Sequence, residues 1–319
     1  MTPTQLIPQN KIKHLSISGG ATWGIHALGM MIHAIQTGFV DMKEIQSVYA
    51  TSVGTVVSAM LLLNIDFDVL TNYLIKRPWH RIYTLNINTI VDSYQKKGMF
   101  DRKLLEELFS SLLKSVDLST NITLQQFYEY TGGVDFHIYT TELNRFELID
   151  MSYRTHPDWL LLDAIYASCT IPNLFSPIFR ENGCYLDGGI FLNDPISKCI
   201  QYVVENGGNI DEILSISIDM KNKGDMNNNW FINSDTNLFD FNRILIRKLL
   251  HEIQLKCPIE IEPKLLYKIQ TECNTNTMDD IISIMNSSDI RKRLLEEGIE
   301  KMREFLDLID SLHCIDKFS

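Results

Sequence analysis

Short apolar runs alternate along the chain with longer stretches whose apolar positions repeat at helical spacing. The most informative junction is SVYATSVGTVVSAM, residues 47–60. There an apolar run stops at a small residue, a serine and a glycine follow, and an apolar run of a different period begins. The pattern predicts strands over 14–18, 45–50, 134–141, 146–151 and 213–219. It predicts helices over 24–37, 52–64, 66–77, 100–113, 124–130, 160–168 and 195–205. Gly38 stops the first helix, Pro78 ends the third, and Pro172 lies just beyond the sixth. Tyr185 and Leu186 lead a short strand into Asp187-Gly188-Gly189. The stretch 221–237 is polar and Asn-rich and reads as a surface loop; the remainder reads as mostly helical, ending in a helix over 289–312.

Alternating strands and helices, with apolar strand runs, predict an α/β fold with a largely parallel sheet covered on both faces. The 319 residues suit a single domain over 13–319 behind an N-terminal tail, 1–12. Its core is 13–219, and the mostly helical part 220–319 packs on it. Composition changes the picture chiefly through charge: 29 Lys+Arg stand against 40 Asp+Glu, a net of -11. A whole-surface basic footprint for nucleic acid is excluded, and simple electrostatic attraction to an anionic membrane is disfavoured. Six cysteines contain no C-x-x-C pair, so neither a zinc site nor a redox motif is signalled. The N-terminus has no apolar signal core, and the longest greasy run, 56–63, is too short to span a bilayer. An intracellular, cytoplasmic protein with free thiols is expected, peripheral to membranes where it meets them.

Ser52 at the strand–helix junction has two readings. As a nucleophile elbow, it would sit strained on a sharp turn, with small residues needed two positions either side; these are Ala50 and Gly54. As a helix N-cap, it or Thr51 would merely satisfy backbone N–H groups. A nucleophile needs an anion site and a base. Gly19, Gly20 and Ala21 follow the first strand and present N–H groups beside a helix that opens near Gly24. The same turn also lies one glycine from a dinucleotide fingerprint, with Asp41 about 20 residues on for a ribose. Among eight histidines none sits in an evident loop after a strand. Asp187, at a strand end before Gly188 and Gly189, has the form of a site base, although Asp-Gly is also an ordinary turn. Asp194 is expected to cap the next helix.

Taken in order, Gly19-Gly20-Ala21-Thr22-Trp23-Gly24, Ala50-Thr51-Ser52-Val53-Gly54 and Asp187-Gly188-Gly189 resemble the three motifs of the patatin-like phospholipases. FHIYTTELNRFELID is similar to the family's central strand pair, ASCTIPNLFSPI to its helix and proline loop, and RLLEEGIEKMREFL to its closing helix. GGATWG and TSVG resemble members from large DNA viruses. The resemblance implies a three-layer patatin-like fold and a phospholipase A-type lipid acyl hydrolase without cofactor or metal, calcium included. It implies a Ser52–Asp187 dyad, an acyl-enzyme, and an oxyanion hole from the Gly19–Ala21 backbone. The implied partners are a phospholipid or other lipid ester and, transiently, a lipid surface. Three departures stand out: Ala21 for the third glycine, Trp23 for a basic residue, and Ala50 for the glycine before the serine. They motivate an alternative, a catalytically weak or inactive patatin-fold module that binds lipid or protein. Trp23 is expected to pack in the core, and an apolar rim is expected from Ile171, Leu174, Phe175, Trp230 and Phe231.

Overall fold

The computed structural model describes residues 11–81, 93–219, 232–236, 238–256, 265, 267–272 and 278–316. Its first strands, β1 (His14–Ile17) and β2 (Ser47–Thr51), are buried at every position, as strands covered on both faces must be. Between them a 3-10 turn, Ala21–Trp23, feeds α1 (Gly24–Gln36), which ends where Gly38 turns the chain at φ 78°. β2 runs into α2 (Val53–Leu62). α3 (Phe67–Lys76) begins at Asp66, whose carboxylate accepts the N–H groups of Asp68 and Val69.

β3 (Gly98–Phe100) precedes α4 (Lys103–Ser115). α5 (Leu124–Tyr130) starts on a capping box between Thr123 and Gln126. β4 (Asp135–Glu142) and β5 (Glu147–Met151) form a hairpin. After α6 (Leu161–Ser168) come β6 (Asn173–Phe175), β7 (Ile178–Arg180) and β8 (Gly183–Asp187). α7 (Ile196–Glu205), β9 (Ile213–Asp219), α8 (Leu238–Lys256), β10 (Tyr267–Glu272), α9 (Met278–Asn286) and α10 (Ser288–Asp316) complete the order.

β10, β9, β1, β2 and β4 lie parallel in that order; β5 and β8 run antiparallel to β4, and β7 antiparallel to β8. β3 and β6 form a separate two-stranded sheet. A large apolar cluster involving α1, α2 and α6 fills one face of the main sheet. A smaller one, built on Ile196, Cys199 and Val203 of α7 with Tyr49 and Tyr139, fills the other. Helices on both faces give the expected α/β class.

One register decides where the site lies. Thr51 of β2 pairs with Tyr139, and Asp187 of β8 pairs with the next residue, Thr140. β5 occupies the opposite edge of β4 from Ile138 to Glu142, so β2 and β8 share one edge. Their C-terminal ends meet head-on there.

Four strands and the start of one helix depart from the sequence pattern. Phe100 belongs to β3, so the helix expected over 100–113 starts only at Lys103. β3, β6 and β7 have three residues each, too few for a period. β10 adds a strand where helix was expected; Tyr267, Ile269 and Thr271 are buried. The Asn-rich loop, with Trp230 and Phe231, lies almost wholly outside the described residues. Among the described residues, no helix is long and apolar enough to cross a membrane.

Candidate active site

Ser52 sits between β2 and α2 with φ 53° and ψ -131°. Such a conformation costs a non-glycine residue about 1–3 kcal/mol and persists only where the surroundings enforce it. Several bonds do so. Its N–H donates to Ser168 Oγ at 2.8 Å, and that hydroxyl donates to the Tyr139 carbonyl at 2.5 Å. Its carbonyl accepts from the N–H and hydroxyl of Thr55. The side chain makes no capping bond. Instead Ser52 Oγ donates to Asp187 Oδ2 at 2.7 Å. The capping alternative therefore fails, and the geometry is that of an elbow.

Small residues are required where helices and strands crowd this turn. A Cβ on Gly54 would strike the carbonyl of Ile17, one on Gly24 would strike Val53, and one on Gly188 would strike the carbonyl of Tyr139. Ala50 is fully buried in the main core, so its single methyl is packed rather than merely accommodated.

Asp187 is held from three directions. Its N–H donates to Thr170 O at 2.9 Å, its carbonyl accepts from Thr141 Oγ1 at 2.9 Å, and its Oδ1 accepts from Gly189 N–H at 2.7 Å. Burial pushes its pKa up to about 6, against the opposing pull of the bonds from Ser52 and Gly189. Cys169 lies near; burial first, then the Asp187 charge, pushes its thiol up, so it stays protonated.

The glycine turn after β1 faces this pair. Gly19 N–H donates to Asn193 O at 2.9 Å, and Asn193 Nδ2 donates back to Gly19 O at 3.3 Å. Gly19 is thereby removed from the expected oxyanion donors, because its N–H is already used. The N–H groups of Gly20 and Ala21 have no acceptor among the described residues. Ala21 takes φ 48°, a left-handed position that a glycine fills without strain. α1 and α2 both open at this point, aiming the positive ends of their dipoles at it. No local sequence pattern marks Asn193 as the partner of Gly19.

The other candidates fall elsewhere. Trp23 is buried and donates from Nε1 to Thr271 Oγ1 at 2.7 Å, tying the turn to β10. Asp194 accepts from Ile196 N–H at 3.2 Å at the start of α7. Asp41 precedes β2, at the opposite end of the sheet from the Gly19 turn, so the two cannot share a dinucleotide. Leu174 is buried, and Phe175 is half-buried against Phe100 and Tyr166, so these two pack inward rather than forming a rim; Ile171 is half-buried. No histidine is bonded to Ser52 or Asp187 among the described residues. His137 is bound elsewhere, its Nδ1 2.9 Å from Asp150 Oδ2 and its Nε2 in ion contact, 3.4 Å, with Asp135 Oδ2. Among the described residues, no cluster of three or more His, Cys, Asp or Glu is arranged to hold a metal ion.

A hydroxyl bonded to a buried carboxylate, beside two N–H groups that have no acceptor among the described residues and facing the N-termini of two helices, can attack a carbonyl and hold the resulting oxyanion. Known proteins resemble this chain. A family model described as patatin-like phospholipase matches residues 15–200, more than half the chain. A probable lipid hydrolase of Invertebrate iridescent virus 6 is 25% identical over 192 residues, covering 60% of this chain and 64% of the relative. An uncharacterized protein of Acanthamoeba polyphaga mimivirus is 27% identical over 199 residues, covering 60% of this chain and 62% of the relative. The chain thus spans less than two thirds of the length of these curated relatives. The crystal structure of VipD from Legionella pneumophila aligns with a TM-score of 0.49 and 15% identity, over 93% of this chain and 67% of that one.

Proposed function

The chain belongs to the patatin-like phospholipase family, and from that premise we propose that it is a lipid acyl hydrolase working through Ser52 and Asp187. The observation that carries the proposal is the 2.7 Å bond from a strained serine hydroxyl to a buried carboxylate. Ser52 Oγ attacks the acyl carbonyl while its proton passes to Asp187 Oδ2. The oxyanion accepts from the N–H groups of Gly20 and Ala21. The carbonyl re-forms, the ester C–O bond breaks, and the alcohol leaves with the proton held by Asp187. Water, deprotonated by the same carboxylate, then cleaves the acyl-enzyme. Nucleophile, base and anion donors all come from the chain, so no step calls on calcium. Substrates are phospholipids or other lipid esters, met at a lipid surface by a cytoplasmic protein. The pairing of β10 with β9 and the packing of α10 on α1 support residues 13–319 acting as one domain.

Hydrolysis of a p-nitrophenyl ester and of a phospholipid by wild type, Ser52→Ala and Asp187→Asn tests the proposal. Both variants are expected to lose more than about 100-fold in kcat/KM, since nucleophile and base act as a unit. Activity retained by Ser52→Ala overturns it.

A further inference from the structure

The exposed apolar side chains near the site lie on two hairpin tips, away from the proline loop. β4 runs past the site level, Thr140, to Glu142 and turns through 143–146 into β5. β7 and β8 are joined by Glu181 and Asn182, both with positive φ, the tight turn that suits a twisted hairpin. Leu143 N–H donates to Cys184 O, and Asn144 Nδ2 donates to Asn182 O, so the two tips stand side by side. They carry Leu143, Phe146 and Phe179, exposed by 41%, 50% and 61%.

Three observations bear on what meets this patch. Phe146 is held at φ 56°, a left-handed turn position where Asn or Gly fits and a bulky aromatic is an outlier. Its ring is half in solvent, so the strain is not offset by full burial. Second, that ring packs on Phe191 with centroids 4.7 Å apart, and Phe191 N–H donates to Gly188 O. The patch is therefore continuous with the loop carrying Asp187. Third, its charges balance. Arg145 is paired with Glu142 and Glu147, Arg180 with Glu181, and Lys97 lies over the Phe179 ring at 5.5 Å. Three cations and three anions surround the apolar side chains of a chain whose net charge is -11. Such a surface neither seeks an anionic layer nor is repelled by a neutral one.

We propose that the β4–β5 and β7–β8 hairpin tips, through Leu143, Phe146 and Phe179, seat the protein on a zwitterionic phospholipid surface beside the Ser52–Asp187 pair. The proposal rests on the hydrolase function above and adds the surface at which it acts. Apolar insertion drives the docking, so salt does not release it.

Flotation with phosphatidylcholine vesicles, run alongside hydrolysis of those vesicles and of a soluble p-nitrophenyl ester, tests it. Wild type is expected to float at low and high salt alike. Phe146→Asn with Phe179→Thr is expected to lose flotation and vesicle hydrolysis by about tenfold or more, given the transfer energy of two aromatic rings. Soluble-ester hydrolysis stays unchanged and thermal stability does not fall. Phe146→Asn alone, which suits the left-handed turn, shows the same direction if the double variant fails to fold. Flotation by the variants equal to wild type overturns the proposal. So does wild-type binding that requires phosphatidylserine and is released by salt, or a wild-type dimer that the substitutions dissociate. A wild type that floats but cleaves no ester removes the hydrolase function and leaves the docking; one that cleaves soluble ester but does not float does the reverse.

Discussion

In the proposed mechanism Asp187 does two jobs that conflict energetically. Its burial raises the pKa from 3.8 to about 6, which makes it a stronger base than a surface carboxylate while leaving it ionised at neutral pH. The folded state then holds a proton that the unfolded state has already released, so stability is lost as pH rises from about 4 to about 6. At neutral pH the ionised group costs roughly 3 kcal/mol. kcat/KM on a soluble ester is expected to rise with pH with a midpoint near 6, and Asp187→Asn is expected to raise the melting temperature at pH 7. A flat profile between about pH 4.5 and 8 contradicts this assignment of the base. The residues themselves were legible: a lone serine between small neighbours, and an Asp before paired glycines. The loss of Gly19 as a donor was not, because its acceptor, Asn193, lies 174 residues away and no local pattern encodes that pairing.

At the scale of elements, Ser52 and Asp187 meet because β2 and β8 end against consecutive residues of β4. The helical layer is held by close approach as well as by greasy side chains. A Cβ on Gly298 of α10 would strike the carbonyl of His26, and one on Gly29 of α1 would strike that of Leu295. The two helices thus cross with backbones nearly touching, which only small residues permit. Gly298→Val is expected to destabilise the protein by about 2–4 kcal/mol in denaturant unfolding despite its greater β-carbon burial. A neutral or stabilising result means that α10 does not sit against α1 in this way. Long elements were readable because their period repeats several times. β10 was missed although Tyr267, Ile269 and Thr271 alternate, because six residues between helical stretches give little signal. β3 and β6 are set wholly by partners distant in sequence.

Over the whole molecule, the chain divides its sheet into a supporting end and a working end. The N-termini of α1 and α2, the serine turn, the aspartate loop and the two apolar hairpin tips gather at the C-terminal end of β2 and β4. Fold class followed from alternating elements, since a mostly parallel sheet needs helices on both faces. Which apolar residues stay in solvent did not follow. Leu174 and Phe175 look like rim positions in sequence but pack inward, whereas Phe146, in a left-handed turn, and Phe179, in the middle of β7, stay exposed. The central claim is that Ser52 is a nucleophile activated by Asp187, and covalent capture tests it most directly. A fluorophosphonate probe followed by peptide mass spectrometry is expected to place one adduct on Ser52 of the native protein, absent in Ser52→Ala and strongly slowed in Asp187→Asn. Native protein that stays unlabelled at Ser52, or that is labelled equally fast without the Asp187 carboxylate, contradicts it.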